Sequence, residues 1–270
     1  HDGDSVILHP HRKWIAGEPC PEHYGEVLGS LVDGTLAEYA LVPAEALVAM
    51  PAHLSFAEAA ALPCAGLSAW NSILGGPPAR RPCLPGETVL VQGTGGVSLF
   101  ALQFAKLAGC RVIATTSTAA KAELLQHMGA DAVVNYRENP QWSDAVLAAT
   151  DGRGVDVSIE ALGTQATFEA SLRVLRPGGT LSSLGVYSSD LRLPLGPFAA
   201  GLGDHTIVTT LCPGGKERMR RQMNVVASGS HSMTSIFSPP SSFTMDWMRI
   251  PRIPTHAPTG STPACRAATA

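Results

Sequence analysis

From residue 86 onward, short apolar runs alternate with stretches whose apolar positions recur at helical spacing. Thr88–Val91, Arg111–Ala114, Ala132–Val134, Val155–Ile159, Thr180–Leu184 and Thr206–Leu211 read as strands. Val97–Ala108, Ala119–Met128, Trp142–Ala149 and Ala166–Val174 read as the helices between them. Strands this apolar, separated by helices, predict a parallel sheet covered on both faces, an α/β fold of the doubly wound type. Upstream the rhythm is different. Ser5–Leu8, Thr35–Val42 (launched from Asp33-Gly34) and Ala46–Met50 (running into Pro51) read as strands joined by turns. Ser55 followed by Glu58 has the spacing of a capping box, and Ala57 to Leu62 continue that helix. A loop rich in Gly75, Gly76, Pro77, Pro78 and Pro82 then separates the two patterns. The organisation expected is a first domain over 1–78, a second over 79–229, and a tail over 230–270. Eighteen of the last forty residues are Ser, Thr or Pro, so the tail is expected to be disordered.

Composition narrows the class. The chain has 270 residues, 45% hydrophobic and 15% charged, which is a globular balance with ample core. A net charge of −3 offers no basic excess for a phosphate backbone, so no nucleic-acid partner is expected. No apolar run is long enough for a membrane span. Six cysteines form no Cys-x-x-Cys pair, and the start shows neither a signal peptide nor an initiator Met. These features predict a reducing, cytoplasmic setting and a chain that begins inside a longer protein.

The strongest chemical signal is Thr88-Val89-Leu90-Val91-Gln92-Gly93-Thr94-Gly95-Gly96-Val97-Ser98. A strand feeds a glycine-rich turn and a helix follows at once, the context a dinucleotide fingerprint requires. Gly93 permits the tight turn, and Gly95 lets backbone approach a pyrophosphate seated on the helix N-terminus. Ser98 stands where the fingerprint has Gly or Ala. The second strand runs out through Thr115-Thr116-Ser117 without the acid that would hold the ribose 2′-hydroxyl of NAD. Ser117, Lys121 and Tyr136 instead offer hydroxyls and a cation suited to a 2′-phosphate, so NADPH is the expected cofactor.

Beyond this motif the chain resembles the medium-chain dehydrogenase/reductase superfamily. The resemblance is carried in order by Gly3-Asp4-Ser5-Val6, Asp33-Gly34-Thr35-Leu36-Ala37-Glu38-Tyr39, Ala59 to Trp70, the glycine turn, Gly129-Ala130-Asp131, Asn135-Tyr136-Arg137, Gly152 to Asp156, and Leu175-Arg176-Pro177-Gly178-Gly179. Within the superfamily it is most similar to the zinc-free quinone oxidoreductase and alcohol dehydrogenase-like branch. The resemblance implies a partial GroES-like β-barrel catalytic domain beside a Rossmann-type sheet. It implies pyrophosphate contacts from Gly95, Gly96 and Val97, with Gly93 and Thr94 in the same cofactor-binding turn, and 2′-phosphate contacts from Ser117, Lys121 and Tyr136. It also places Ser68 near the nicotinamide end and Leu184, Gly185 and Val186 along the nicotinamide ribose. A homodimer or homotetramer pairing through edge strands is implied for the parent protein. The segment that the family carries before its Gly-Asp-x-Val is absent, and the resemblance fades after Gly229.

Metal chemistry follows from the same comparison. The stretch Leu8–Val32, where zinc relatives carry four cysteines, holds only Cys20. A structural zinc needs four Cys or His ligands. Cys64 occupies the position of a third catalytic ligand in zinc relatives, yet the other two positions lie upstream of His1. The expectation is therefore no zinc, with Cys64 as a packing residue and His9 and His11 on a surface loop. No catalytic residue is assigned. Without a Lewis acid, hydride transfer favours substrates already activated by conjugation. The function expected is NADPH-dependent reduction of a quinone, conjugated carbonyl or aldehyde. The alternatives are a zinc-type alcohol dehydrogenase and an inactive NADPH-binding protein. The expected partner is a small-molecule substrate.

Overall fold

The computed structural model describes residues 3–17, 19–75, 81–185, 190–193, 205–209 and 215–228. The alternating region folds as its pattern dictates. β3 (Thr88–Gln92), β4 (Arg111–Thr116), β5 (Ala132–Asn135), β6 (Val155–Glu160), β7 (Leu175–Ser183) and β8 (Thr206–Thr209) form one parallel sheet in the order β5-β4-β3-β6-β7-β8. Chain order reverses direction between β3 and β6, which makes the sheet doubly wound. Period-2 alternation, interrupted in β6 by an irregularity between Val155 and Val157, divides the strand side chains between two layers. Val89, Val91, Val112, Ala114, Val157 and Ile159 pack on one face with Phe100 and Phe104 of α3 (Gly96–Leu107) and Leu125 of α4 (Ala119–His127). Leu90, Ile113, Val134, Val155 and Leu181 pack on the other with α5 (Trp142–Ala148) and α6 (Gln165–Arg173).

β7 starts earlier than expected, at Leu175, because the strand absorbs Pro177-Gly178-Gly179 through an irregularity in its register with β6. The alternating pattern broke over those residues and hid the first half of the strand.

The N-terminal region departs from expectation. β1 (Val6–Leu8) and β2 (Leu47–Ala49) pair antiparallel, as their apolar runs indicate. The strand predicted over Thr35–Val42 does not form. Leu36, Tyr39 and Leu41 are 94%, 91% and 97% exposed, and no strand lies beside that segment among the described residues. A strand persists only where its backbone donors and acceptors find a neighbour, and apolar alternation alone does not supply one. Of the expected GroES-like barrel, the described residues retain a two-stranded ribbon with turns.

The capping box is formed. Ser55 N donates to Glu58 Oε2 at 2.7 Å, and Glu58 N donates to Ser55 Oγ at 3.3 Å, opening α1 (Phe56–Ala60). Ser55→Ala is expected to cost about 1 kcal/mol of unfolding free energy, checked by urea titration. The chain then runs through a π-turn (Leu62–Gly66) into α2 (Leu67–Leu74). Pro63 brings no N–H to the helical ladder, and Gly66 N reaches back five residues to Ala61 O at 3.4 Å. α2 was hidden in the sequence behind the run of small residues before it, and α7 (Gly215–Ser228) was not expected either. α7 lays Met219, Met223 and Val226 on the core that also contains Ile7, Val48 and Leu62. Arg218 Nη1 donates to Asn71 Oδ1 at 3.1 Å, and Ser72 and Ser182 share a 2.7 Å hydroxyl contact. One apolar cluster thus runs from the ribbon through α2 into the sheet. The tail over 230–270 lies outside the described residues.

Candidate cofactor-binding site

A sheet wound this way opens a crevice outside the carboxyl ends of its strands, where β3 and β6 turn in opposite directions. The glycine turn sits there. Gly93 takes φ +76°, a conformation that side chains rarely adopt, and its N–H donates to Thr115 O at 2.9 Å. Thr94 follows half-buried, and Gly95 is the extended N-cap of α3. A Cβ added at Gly93 or Gly95 would meet nothing within 4 Å, so the turn borders open space on the side a pyrophosphate would enter. Gly96 and Val97 start the helix, whose unpaired N–H groups face that space. Ser98 is buried, and its hydroxyl donates to Gln92 O at 2.7 Å. The serine keeps the close helix–strand approach and ties the helix to the strand it follows.

The next strand supplies the second group. Thr116 at the end of β4 pairs with Asn135 of β5, and Tyr136 N donates to Thr116 O at 2.9 Å. Ser117 and Tyr136 therefore lie at neighbouring strand ends. Thr118 caps α4 through a 3.3 Å bond from Lys121 N, which puts Lys121 in the first turn of that helix. No carboxylate lies between Thr115 and Ala122. The Thr116 hydroxyl is buried without a hydrogen-bond partner at this same strand end. Of the expected residues, Ser117 and Tyr136 thus follow two neighbouring strand ends and Lys121 lies in the first turn of the helix that starts there. These features fit the diphosphate and ribose end of a nicotinamide dinucleotide.

The third group forms the far wall. Glu160 closes β6 and is fully buried. Its Oε1 accepts from Leu162 N and Gly163 N, both at 2.9 Å, and from Thr167 Oγ1 at 2.8 Å. Its backbone oxygen accepts from Leu184 N at 2.7 Å and Gly185 N at 3.2 Å. A Cβ on Gly185 would lie 2.3 Å from Gly163 N, so the loops after β6 and β7 touch through glycine backbone. Glu160 is a positioning residue that sequence reasoning missed. Its signal was a single acid ending the apolar strand Val155–Ile159. Leu184 and Gly185 lie on this wall, while Val186 lies outside the described residues. Ser68 is buried in the first turn of α2, with its side chain engaged within the protein.

The π-turn meets the glycine turn directly. A Cβ on Gly96 would stand 3.3 Å from Ala65 Cβ, which brings the segment carrying Cys64 against the N-terminus of α3. Cys64 is exposed, so the expectation of a packing residue is corrected. No group of three or more His, Cys, Asp or Glu among the described residues is placed to hold a metal ion.

The histidines are also corrected. His9 and His11 are buried, not on a surface loop. Trp14 is fully buried, stacks on His23 at 5.0 Å and meets His11 edge-on at 5.9 Å. His9 Nδ1 accepts from His11 N at 3.1 Å. Burial lowers the His9 pKa to about 4, so its ring is neutral at physiological pH. Trp14 and Tyr24 pack on the His11 ring, which in turn packs on His9, an arrangement that a window of polar residues did not reveal.

The family of zinc-binding dehydrogenases matches residues 96–228 of the chain. An alcohol dehydrogenase of Cupriavidus necator is 51% identical over 202 residues, covering 74% of this chain and 54% of that protein. An NADP-dependent isopropanol dehydrogenase of Thermoanaerobacter brockii is 35% identical over 144 residues, 52% of this chain and 41% of that protein. A solved NAD-dependent alcohol dehydrogenase superposes with a TM-score of 0.68 at 31% identity, over 84% of this chain and 66% of its own. The chain spans about half the length of the curated relatives it matches. The glycine turn at the switch point, the sheet order and these likenesses agree, and the chain belongs to the medium-chain dehydrogenase/reductase superfamily, in its alcohol dehydrogenase-like branch.

Proposed function

We propose that this chain carries the cofactor site of an NADPH-dependent oxidoreductase that passes hydride to a quinone, a conjugated carbonyl or an aldehyde. The observation that carries the reading is the open cradle at Gly93 and Gly95 beside a β4 end that lacks an acid. Relatives of this chain are named for NAD and for NADP alike, so its own residues decide between the two. Around a 2′-phosphate, Lys121 supplies charge while Ser117 and Tyr136 supply hydroxyl donors. The N-terminus of α3 binds the pyrophosphate through backbone N–H groups. Glu160 holds the loops after β6 and β7 in place, so the wall along the nicotinamide end is fixed before the cofactor arrives. Bound there, the nicotinamide supplies the hydride. The substrate class rests on the resemblance to zinc-free reductases, in which the substrate is already activated by conjugation and the cofactor supplies the chemistry.

A zinc-type alcohol dehydrogenase is the second reading. It is favoured by the exposed Cys64 on the turn that abuts Gly96. Metal content of the full-length protein separates the two, since one bound zinc per active site would support the second. We also infer that the parent assembles as a homodimer or homotetramer. Among the described residues β8 is the last strand of the sheet and Ile207 is exposed, an edge to which a neighbouring strand can add.

Fluorescence titration with NADPH and, separately, NADH tests the cofactor. Saturable binding that prefers NADPH is expected, and preference for NADH would overturn the reading. Lys121→Ala is expected to weaken NADPH about 10-fold and leave NADH unchanged. Equal losses for both cofactors would remove Lys121 from the 2′-phosphate contact.

A further inference from the structure

At the opposite end of the sheet from the glycine turn, the chain brings two cysteines together. Cys83 lies on the approach to β3, and Cys110 immediately precedes β4. Neither is in a disulfide, and the Cys110 thiol lies within hydrogen-bonding reach of Cys83. The backbone fixes this meeting. Gly86 N donates to Gly109 O at 2.9 Å, Arg111 N donates to Glu87 O at 2.8 Å, and the Cys110 thiol reaches Leu84 O at 3.4 Å. The two lead-ins are thus clamped side by side, so little backbone movement separates two thiols from one disulfide.

The surroundings make the pair unequal. Cys83 borders a cavity of about 500 Å³, together with Arg81, Glu87, Asp156, Arg176 and Thr206. Cys83 is itself buried, and the Arg81 guanidinium that lines the same cavity is held by Glu87. The cavity gives a small oxidant a route to Cys83, and a nearby guanidinium is a feature of reactive cysteine sites. Cys110 is the opposite case. Burial pushes its pKa up to about 12, with the Cys83 thiolate, Glu87 and Asp156 adding to the rise. It stays a protonated thiol until its neighbour has changed.

We propose that Cys83 and Cys110 form a peroxide-responsive dithiol, with Cys83 as the attacking thiol and Cys110 as the resolving one. In the first step the Cys83 thiolate attacks one oxygen of hydrogen peroxide. The O–O bond breaks, Cys83 becomes a sulfenic acid, and hydroxide takes up a proton and leaves as water. In the second step the Cys110 sulfur displaces the sulfenic hydroxyl, which takes the Cys110 proton and leaves as water. Two thiols and one peroxide give one disulfide and two waters, and the two-electron oxidation of sulfur matches the reduction of peroxide. The product locks the entries of two adjacent central strands together. A reducing thiol reverses it.

The test uses the full chain and hydrogen peroxide. After exposure, alkylation under denaturing conditions followed by peptide mapping is expected to show two fewer free thiols and a Cys83–Cys110 linkage. The melting temperature is expected to rise by about 5–10 °C and return with dithiothreitol. In Cys110→Ala the oxidation stops at Cys83, where dimedone captures the sulfenic acid, while Cys83→Ala leaves Cys110 unoxidised. Oxidation of Cys20 or Cys64 with the Cys83 and Cys110 peptides untouched would overturn the proposal. So would dimedone capture at Cys83 in the unsubstituted chain with no linkage to Cys110. Should a variant fail to fold, the peptide map of the unsubstituted chain decides alone.

Discussion

Replacing Asp156 by Asn is expected to lower the unfolding free energy by about 3 kcal/mol, seen as a lower urea midpoint at unchanged slope. Asp156 lies within β6 and is almost wholly buried. Its Oδ1 accepts from Arg153 Nη2 at 2.8 Å and Arg176 Nε at 2.5 Å, and its Oδ2 accepts from Arg153 Nη1 at 2.9 Å and Thr88 N at 2.8 Å. The carboxylate therefore joins β3, β6 and β7 at their amino ends. An amide of the same shape leaves two guanidinium groups without their counter-charge and turns one acceptor into a donor facing donors.

The pH dependence of stability carries the same signature. Burial by itself raises the Asp156 pKa, but the bonds from Arg153, Thr88 and Arg176 outweigh it and hold the value at about 2, against 3.8 in the open chain. Because the folded value is the lower one, the unfolded chain binds the proton first as acid is added. The stabilisation is complete above about pH 4 and disappears as pH falls through 2, an amount of about 2 kcal/mol. The unsubstituted chain should lose more stability than Asp156→Asn between pH 4 and pH 2. Equal losses in the two proteins would show that the carboxylate does not carry this charge network.

Gly95→Ala is expected to weaken NADPH binding at least about 100-fold, or about 3 kcal/mol, with the melting temperature changed by less than about 2 °C. The separation of the two effects follows from geometry. Gly95 has φ −75° and ψ 165°, values any residue adopts, and a Cβ there meets nothing within 4 Å in the protein. The methyl group would instead stand where a pyrophosphate comes against the start of α3. Gly93→Ala is the contrasting case, since its positive φ makes the substitution cost folding as well as binding. Undiminished affinity in Gly95→Ala, measured by fluorescence titration, would remove the cradle from the binding site.

How much of this was legible in the sequence varied with the range of the interaction concerned. The glycine turn was legible because each of its features is local: a strand, a backbone conformation only glycine takes easily, and a helix start within a few residues. Ser55 with Glu58 was legible for the same reason. Lys121 and Ser117 could be placed because their distance from the end of β4 is fixed along the chain. Glu160 escaped notice because its partners gain meaning only when the loop after β6 folds back over it and β7 arrives beside it. Thr35–Val42 misled because alternation describes a surface able to pair, and pairing depends on a neighbour. His9 and His11 misled because a polar side chain reads as solvated, whereas both rings are buried, His11 against Trp14 and Tyr24 and His9 against His11.

By itself, then, the sequence determined the α/β class, the position of the glycine turn and the absence of an acid after the second strand of that unit. These rest on interactions between residues close along the chain, whose geometry a few side chains dictate. Only the tertiary structure decided which buried charges are satisfied, which apolar runs become strands, and which cysteines meet. Cys83 and Cys110 are 27 positions apart, and nothing local relates them; parallel pairing of β3 with β4 brings their lead-ins together. Asp156 likewise acquires its role because the same sheet gathers Thr88, Arg153 and Arg176 around one carboxylate. Long-range pairing sets the partners of a polar group, and its partners set its energy.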